Sequence, residues 1–180
     1  MESVMRTIRI EKLTLNVGAG KEQAVLEKGL ILLKNITGID PVKTITQKRI
    51  AGWGLRPGLP IGCKLTLRNE EEVKTLIKRL LAAKNNILAN NNFDEEGNIS
   101  FGIKEYIDVA DTKYDPKIGI MGFQASITLV RPGFRIKKRK ILKRSIPRNH
   151  RISKVESINF MKQNFAINIK EDLEKEASEE

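Results

Sequence analysis

Apolar residues alternate along residues 7–17, first at Ile8 and Ile10, then in shifted phase at Leu13, Leu15 and Val17. A period of two marks a strand with one buried face, and the change of phase predicts a bulge near Glu11 and Lys12. Over residues 22–37 the period lengthens. Val25, Leu26, Gly29, Leu30, Leu33 and Ile36 recur at steps of three and four, the spacing of one helical face, and Gly38 supplies the stop. After Pro41, residues 42–48 read as a short strand, 49–60 as a loop rich in glycine and proline, and 61–68 as a cleanly alternating strand. A second helix is predicted over 70–89, acidic at its start as the helix dipole favours. Residues 90–98 are polar and turn-like. Two more strands are predicted over 99–104 and 122–130, with an irregular stretch, 105–121, between them. Ser153 and Glu156 have capping-box spacing, so a last helix is expected from Lys154 to about Asn164.

No internal repeat interrupts this order. Helices between strands able to pair antiparallel predict an α+β fold: a sheet with helices packed on one face and a basic arm appended. Residues 1–170 are expected to form a single domain containing an arm at 131–152, and 171–180 an acidic, disordered tail. Strand alternation sorts side chains between the two faces. Opposite Leu13, Leu15 and Val17 stand Thr14 and Asn16. Opposite Ile61, Cys63, Leu65 and Leu67 stand Lys64, Thr66 and Arg68. Thr44, Thr46 and Lys48 share a face, and Gln124, Ser126 and Thr128 lie opposite Phe123, Ala125, Ile127 and Leu129. With helices on the apolar side, the other side is a field of hydroxyls, amides and lysines, groups that bond phosphates and 2′-hydroxyls.

Charge sharpens this picture. The chain carries a net +11, and of its 33 basic residues 11 lie between Arg131 and Lys154, where there is no acid; the other 22 match the 22 acids elsewhere. A concentrated cationic stretch is the footprint of a densely anionic partner, nucleic acid before an acidic membrane. The stretch lies between a strand and a capped helix and includes Phe134, Ile136, Ile141, Leu142 and Ile146, which a solubilising tail does not need. An ordered arm on phosphates accounts for both features, through Arg131, Arg135, Lys137, Lys138, Arg139, Lys140, Lys143, Arg144, Arg148 and Arg151. Aromatic residues are only 5% of the chain, too few for a base-stacking sheet platform, so a folded RNA held by shape and backbone is the expected ligand.

Catalytic readings are weak. Gly18-Ala19-Gly20-Lys21 resembles part of a phosphate-binding loop, but Leu15 and Glu22 stand where a glycine and a serine or threonine are required. A tight strand-to-helix turn explains it better. One histidine, His150, and one cysteine, Cys63, make neither a zinc set nor a His-based triad, and the lone cysteine allows no internal disulfide and fits a reducing cytosol. No metal, cofactor, small-molecule substrate or enzymatic activity is expected. No apolar run of membrane-spanning length and no signal-peptide core at residues 1–14 are present, so a cytoplasmic protein without membrane attachment is expected. The alternatives are a nucleotide-dependent RNA enzyme using Gly18–Lys21 and a peripheral membrane protein held by the arm. Trp53, in the glycine-rich loop, is equally a core anchor or an exposed contact.

Three stretches resemble a known family: RIEKLTLNVGAGKE (9–22), GIDPVKTITQKRIAGWGLRPGLPIGCKLTLR (38–68) and FDEEGNISFGIKEYI (93–107). They are similar to large-subunit ribosomal protein L-five, which binds 5S rRNA, and the basic stretch after Val130 resembles its archaeal and eukaryotic members. The resemblance covers almost the whole chain. It implies an antiparallel sheet whose concave face binds 5S rRNA, with Asn16, Thr66 and the segment Thr46, Gln47, Lys48 and Arg49 at RNA-contact positions. Asn16 and Thr66 also belong to the polar face read from alternation. Asp40 stands where many bacterial members have glutamine, and an acid there cannot donate to phosphate. The loop Ile50, Ala51, Gly52, Trp53 and Gly54 matches one that reaches the elbow of peptidyl-site tRNA. The resemblance further implies a monomer outside the ribosome and, within it, contacts to 23S-type rRNA, to ribosomal protein L-eighteen, and to small-subunit head protein S-thirteen across an intersubunit bridge.

Overall fold

Residues 3–170 are described by a computed structural model. Seven strands run as β1 (Arg9–Gly18), β2 (Val42–Ile45), β3 (Pro60–Leu67), β4 (Ile87–Leu88), β5 (Ile99–Ile103), β6 (Phe123–Val130) and β7 (Asn168–Ile169). Among the described residues the α-helices are α1 (Gln23–Thr37), α2 (Glu70–Ala82), the single turn α3 (Arg135–Lys138) and α4 (Lys154–Phe165). Five strands form one antiparallel sheet in the order β2-β3-β1-β6-β5, and β4 and β7 make a separate parallel pair.

β1 is the middle strand. Leu13 and Leu15 are fully buried, with Leu65 and Leu67 beside them on β3 and Ala125 and Ile127 on β6. Helices α1 and α2 lie over this apolar side and contribute Leu26, Leu32, Leu33, Ile77 and Leu80 to the core. Each such residue, fully withdrawn from water, stabilises the fold by roughly 1.5–3 kcal/mol. α1 approaches closely because Gly29 has no side chain: a Cβ there would lie 3.0 Å from Val17 Cγ1 and 3.1 Å from Cys63 Sγ. Burial pushes the Cys63 thiol up to about 11, so at neutral pH it is an inert packing group.

The anticipated bulge is present. The β1–β6 register shifts between Ile10 and Lys12, passing over Glu11. Gly38 ends α1 in the left-handed conformation and donates its N–H to the Lys34 carbonyl at 2.7 Å. Ser153 and Glu156 form the capping box of α4, each side chain accepting from the other's backbone N–H, at 3.3 and 2.9 Å.

Two predicted elements are shorter than the pattern suggests. α2 stops at Ala82 instead of running to residue 89, because Asn85 and Asn86 take positive φ, which asparagine tolerates and a helix does not. The apolar pair Ile87–Leu88, which prolongs the helical spacing, instead forms β4 against β7. β2 stops at Ile45, where a register shift breaks its pairing with β3, so residues 46–48 are not strand. The tail at 171–180 lies outside the described residues.

Gly62 marks the tightest point of the sheet. A Cβ there would lie 2.5 Å from the Val17 carbonyl oxygen and 3.1 Å from Thr44 Oγ1, whereas a Cβ at Gly18, directly across the ladder, would meet nothing within 4 Å. Gly62→Ala is therefore expected to cost about 1–3 kcal/mol and Gly18→Ala no more than about 0.5 kcal/mol. Urea unfolding measures both as shifts in midpoint at constant m. Equal losses at the two positions would remove the close approach as the cause.

Candidate nucleic-acid interface

The side of the sheet away from the helices is built from two rows of cross-strand neighbours. One row runs Thr66, Thr14, Ser126 and Ser100; the next runs Lys64, Asn16, Gln124 and Gly102. Lys64, Gln124, Ser100 and Gly102 are exposed, and Thr14, Asn16, Thr66 and Ser126 are half-buried, as expected of side chains crowded on an open sheet. The one internal bond recorded among these side chains joins Ser100 Oγ and Ser126 Oγ at 3.0 Å, which leaves Asn16, Gln124 and Lys64 with donors facing outward. Three glycines flatten one end of the face. With Asn16, Lys104 and Gln124, Gly18, Gly102 and Gly122 line an open groove of about 450 Å³. Nothing stands within 4 Å of the space a Cβ would take at Gly18 or Gly102, so another backbone can approach there.

The placement of individual residues refines the expectation. Thr14, Asn16, Lys64 and Thr66 fall together on the face, Arg68 is exposed just beyond the end of β3, and Thr44 is half-buried at the β2 edge beside Gly62. Thr46 does not join them. It is 6% exposed, and its hydroxyl donates to the Leu59 carbonyl at 3.0 Å, closing the loop after β2. Gln47, Lys48 and Arg49 are exposed on that loop, off the strand ladder, so Lys48 does not share a sheet face with Thr44. Ser100 and Lys104 join the face as well: they alternate with the buried Ile99, Phe101 and Ile103, a pattern legible in the sequence although the expectation above did not use it. The pairing of β5 with β6 sets Ser100 beside Ser126, a partner that the pattern within 99–104 does not specify, and Lys104, just past β5, lines the groove.

The loop after Arg49 is a small closed turn. Ile50 and Leu55 exchange backbone hydrogen bonds, both 3.1 Å, and Gly54 completes the turn at φ 65°. Leu55 is buried beneath it, and Trp53 is 71% exposed at its tip, which settles the tryptophan as a surface residue. Gly18–Lys21 is a tight turn from β1 into α1, with the Ala19 N–H bonded to the Ile61 carbonyl at 2.9 Å.

The basic arm leaves β6 at Arg131 and returns to α4. Phe134 packs on the core, Ile146 and Ile152 are buried, and Ile141 and Leu142 project at the exposed tip. His150 Nε2 bonds the Pro132 carbonyl at 2.9 Å, and its ring meets Phe134 edge-on. Two body carboxylates hold the arm down: Glu96 pairs with Lys137 at 2.8 Å, and Glu11, on the bulge, pairs with Lys138. Arg131 is the exception among the predicted phosphate contacts. It is 4% exposed and spends its guanidinium on Arg6, Arg151 and Glu156, so it fastens the arm and faces no ligand. Arg135, Arg139, Lys140, Lys143, Arg144, Arg148 and Arg151 are exposed.

Among the described residues no cluster of potential ligands could hold a metal ion, and no helix is long and apolar enough to cross a membrane. Family models match nearly the whole chain. One described as Ribosomal protein L5 matches residues 3–56, and one for the C-terminus of the same ribosomal family matches residues 60–160. The large ribosomal subunit protein uL5 of Sulfolobus acidocaldarius is 48% identical over 170 residues, covering 94% of this chain and 95% of the relative. The protein of the same name from Sulfurisphaera tokodaii is 47% identical over 168 residues (93% and 94% covered), and that of Nanoarchaeum equitans 43% over 169 residues (94% and 99% covered). With both segments matched and such relatives aligned almost end to end, the chain belongs to the ribosomal protein L5 family.

Proposed function

We propose that this chain docks 5S rRNA into the large ribosomal subunit, reading the folded RNA with the polar sheet face while the basic arm grips phosphates. As a member of a ribosomal protein family it is a structural constituent and not an enzyme, which sets aside nucleotide hydrolysis at Gly18–Lys21. The carrying observation is the open face: outward donors at Asn16, Lys64 and Gln124 beside a glycine-flattened groove, with α1 and α2 packed on the opposite, apolar side. Side chains there match an RNA backbone in both charge and hydrogen-bonding capacity. Further partners follow in the same reading. The exposed Trp53 loop touches the elbow of peptidyl-site tRNA, the arm lies on 23S-type rRNA, and contacts form with ribosomal protein L-eighteen and, across the subunit interface, S-thirteen.

A gel shift with 5S rRNA against tRNA and large-subunit rRNA fragments tests the core of the proposal. A clear preference for 5S rRNA is expected; equal affinity for all three would overturn it. Asn16→Ala and Thr66→Ala should each weaken 5S rRNA binding by roughly 3–10-fold, the worth of one polar contact, with melting unchanged. Native affinity in both variants would remove the two residues from the interface. Vesicles of anionic lipid in competition with RNA distinguish the membrane alternative: the protein should stay with the RNA.

A further inference from the structure

The arm does more than present charge; it encloses a cavity of about 300 Å³. The floor of the cavity is apolar. Ile152 and Ile146 are 1% and 8% exposed, and the half-buried Phe134 stands beside them with its ring braced at 5.7 Å by His150. Its rim is cationic, formed by Lys137, Lys143, Arg144 and Arg151. The single acid on the rim, Glu96, is already engaged by Lys137. Arg151 is oriented by its own Nε, which donates to the Ile146 carbonyl at 3.2 Å, and the Arg144 backbone N–H donates to the Ile136 carbonyl at 3.3 Å, closing the loop. Among the described residues, the Lys143 and Arg144 side chains have neither an acid nor a hydrogen-bond acceptor.

An arm that only neutralises phosphates needs cations along its surface; an apolar hollow beneath them adds nothing to that task. A ring of cations above an aromatic and aliphatic floor matches a ligand that is anionic at one end and flat and apolar at the other. A nucleotide is such a ligand. The volume lies at the lower end of small-molecule sites, enough for one nucleotide and not for a duplex.

We propose that this cavity receives a single unstacked nucleotide of the bound RNA, its phosphate among Arg144, Lys143 and Arg151 and its base against Phe134, Ile146 and Ile152. The inference rests on the reading that the arm lies on RNA, and it adds a preference that charge alone does not give. A base already unpaired, as in a bulge, costs least to extrude and is the natural occupant.

The test uses the full chain and two RNA hairpins, identical except that one carries a one-nucleotide 2-aminopurine bulge. The bulged hairpin should bind on the order of tenfold tighter, the worth of one base stacked on protein, and its fluorescence should change on binding. Lys143→Gln with Arg144→Gln should abolish the preference. Lys140→Gln, on the arm but outside the cavity lining, should weaken both hairpins by the same factor. All three substituted residues are exposed, so melting should not move, and adenosine 5′-monophosphate should shift the Ile146 and Ile152 methyl resonances where inorganic phosphate does not. Equal affinity for the two hairpins, with unchanged fluorescence, would overturn the nucleotide site while leaving the arm's RNA contact standing. An identical methyl response to inorganic phosphate would reduce the site to an anion site and overturn the proposal. Failure to bind either hairpin at low salt would overturn the underlying RNA reading as well.

Discussion

Replacing Lys138, Arg139 and Lys140 together with glutamine should lower affinity for 5S rRNA by on the order of a hundredfold near 0.1 M salt and flatten its salt dependence by about two to three contacts' worth. Each cation laid on a phosphate releases condensed counterions, so its loss appears in the slope of affinity against salt as well as in the affinity itself. The three do not contribute equally. Lys138 is already paired with Glu11, so binding RNA exchanges one anionic partner for another, and removing it leaves Glu11 beside the phosphates. Arg139 keeps its Nε on the Leu142 carbonyl at 2.8 Å and has its terminal nitrogens to offer, and Lys140 is exposed without an acidic partner among the described residues. Filter binding from low to moderate salt checks the claim. A triple variant with the native slope would show that the arm does not touch phosphate.

Arg131→Met should destabilise the protein by about 3 kcal/mol and loosen the arm. Methionine keeps most of the volume, but the guanidinium bonds to the Arg6 carbonyl at 3.1 Å, the Arg151 carbonyl at 3.0 Å and Glu156 Oε1 at 2.7 Å all disappear. Three backbone carbonyls, those of Arg6, Arg151 and, at a longer 3.5 Å, His150, are then left without this donor. Glu156 is partly hydrated, with its side chain 40% exposed, which holds the loss at the lower end of buried-pair penalties. Lysine is a poor substitute because a single ammonium cannot span three acceptors in the plane a guanidinium provides. Hydrogen exchange should show lost protection across 131–152, and RNA affinity should fall with it. The effect also has a pH signature. Burial alone pushes the Glu156 carboxyl up, but the Ser153 backbone N–H and Arg131 outweigh it and hold the group below its ordinary value of 4.5. A depressed carboxylate stabilises the fold at pH values above that ordinary range and loses its contribution as pH falls through the depressed value. Arg131→Met should therefore show a weaker loss of stability in acid than the native chain. Parallel stability curves from neutral pH downward would contradict this role for Arg131.

Local alternation and helical spacing were enough to place β1, α1, β3, β6 and α4, because each carries its own burial pattern or cap. Even the bulge at Glu11 was legible, since slipping one residue moves every later side chain to the other face. The same alternation puts Thr14, Asn16, Lys64 and Thr66 on one surface whichever strands pair. It failed where the decision lay outside the segment. Thr46 continues the alternation of Thr44, yet the register break at Ile45 turns its hydroxyl to Leu59. Leu88 continues the apolar spacing of α2, yet two asparagines in left-handed conformation send the chain to a partner strand some eighty residues away. The adjacent pair Asn85-Asn86 is the local signal of that turn, since asparagine tolerates the left-handed conformation. Arg131 had no local signature separating it from its basic neighbours, since its burial depends on Arg6 and Glu156, far away in sequence.

The central place of β1 also sets when the molecule becomes competent during synthesis. Its neighbours are β3, which the ribosome delivers some fifty residues later, and β6, more than a hundred residues later. Until residue 130 has emerged, one long edge of that strand has no lattice to join, and such delayed, far-reaching closure is slow. The arm is translated directly after β6. Surface and clasp are thus completed nearly together, so a nascent chain offers RNA little to hold until most of its length has been made.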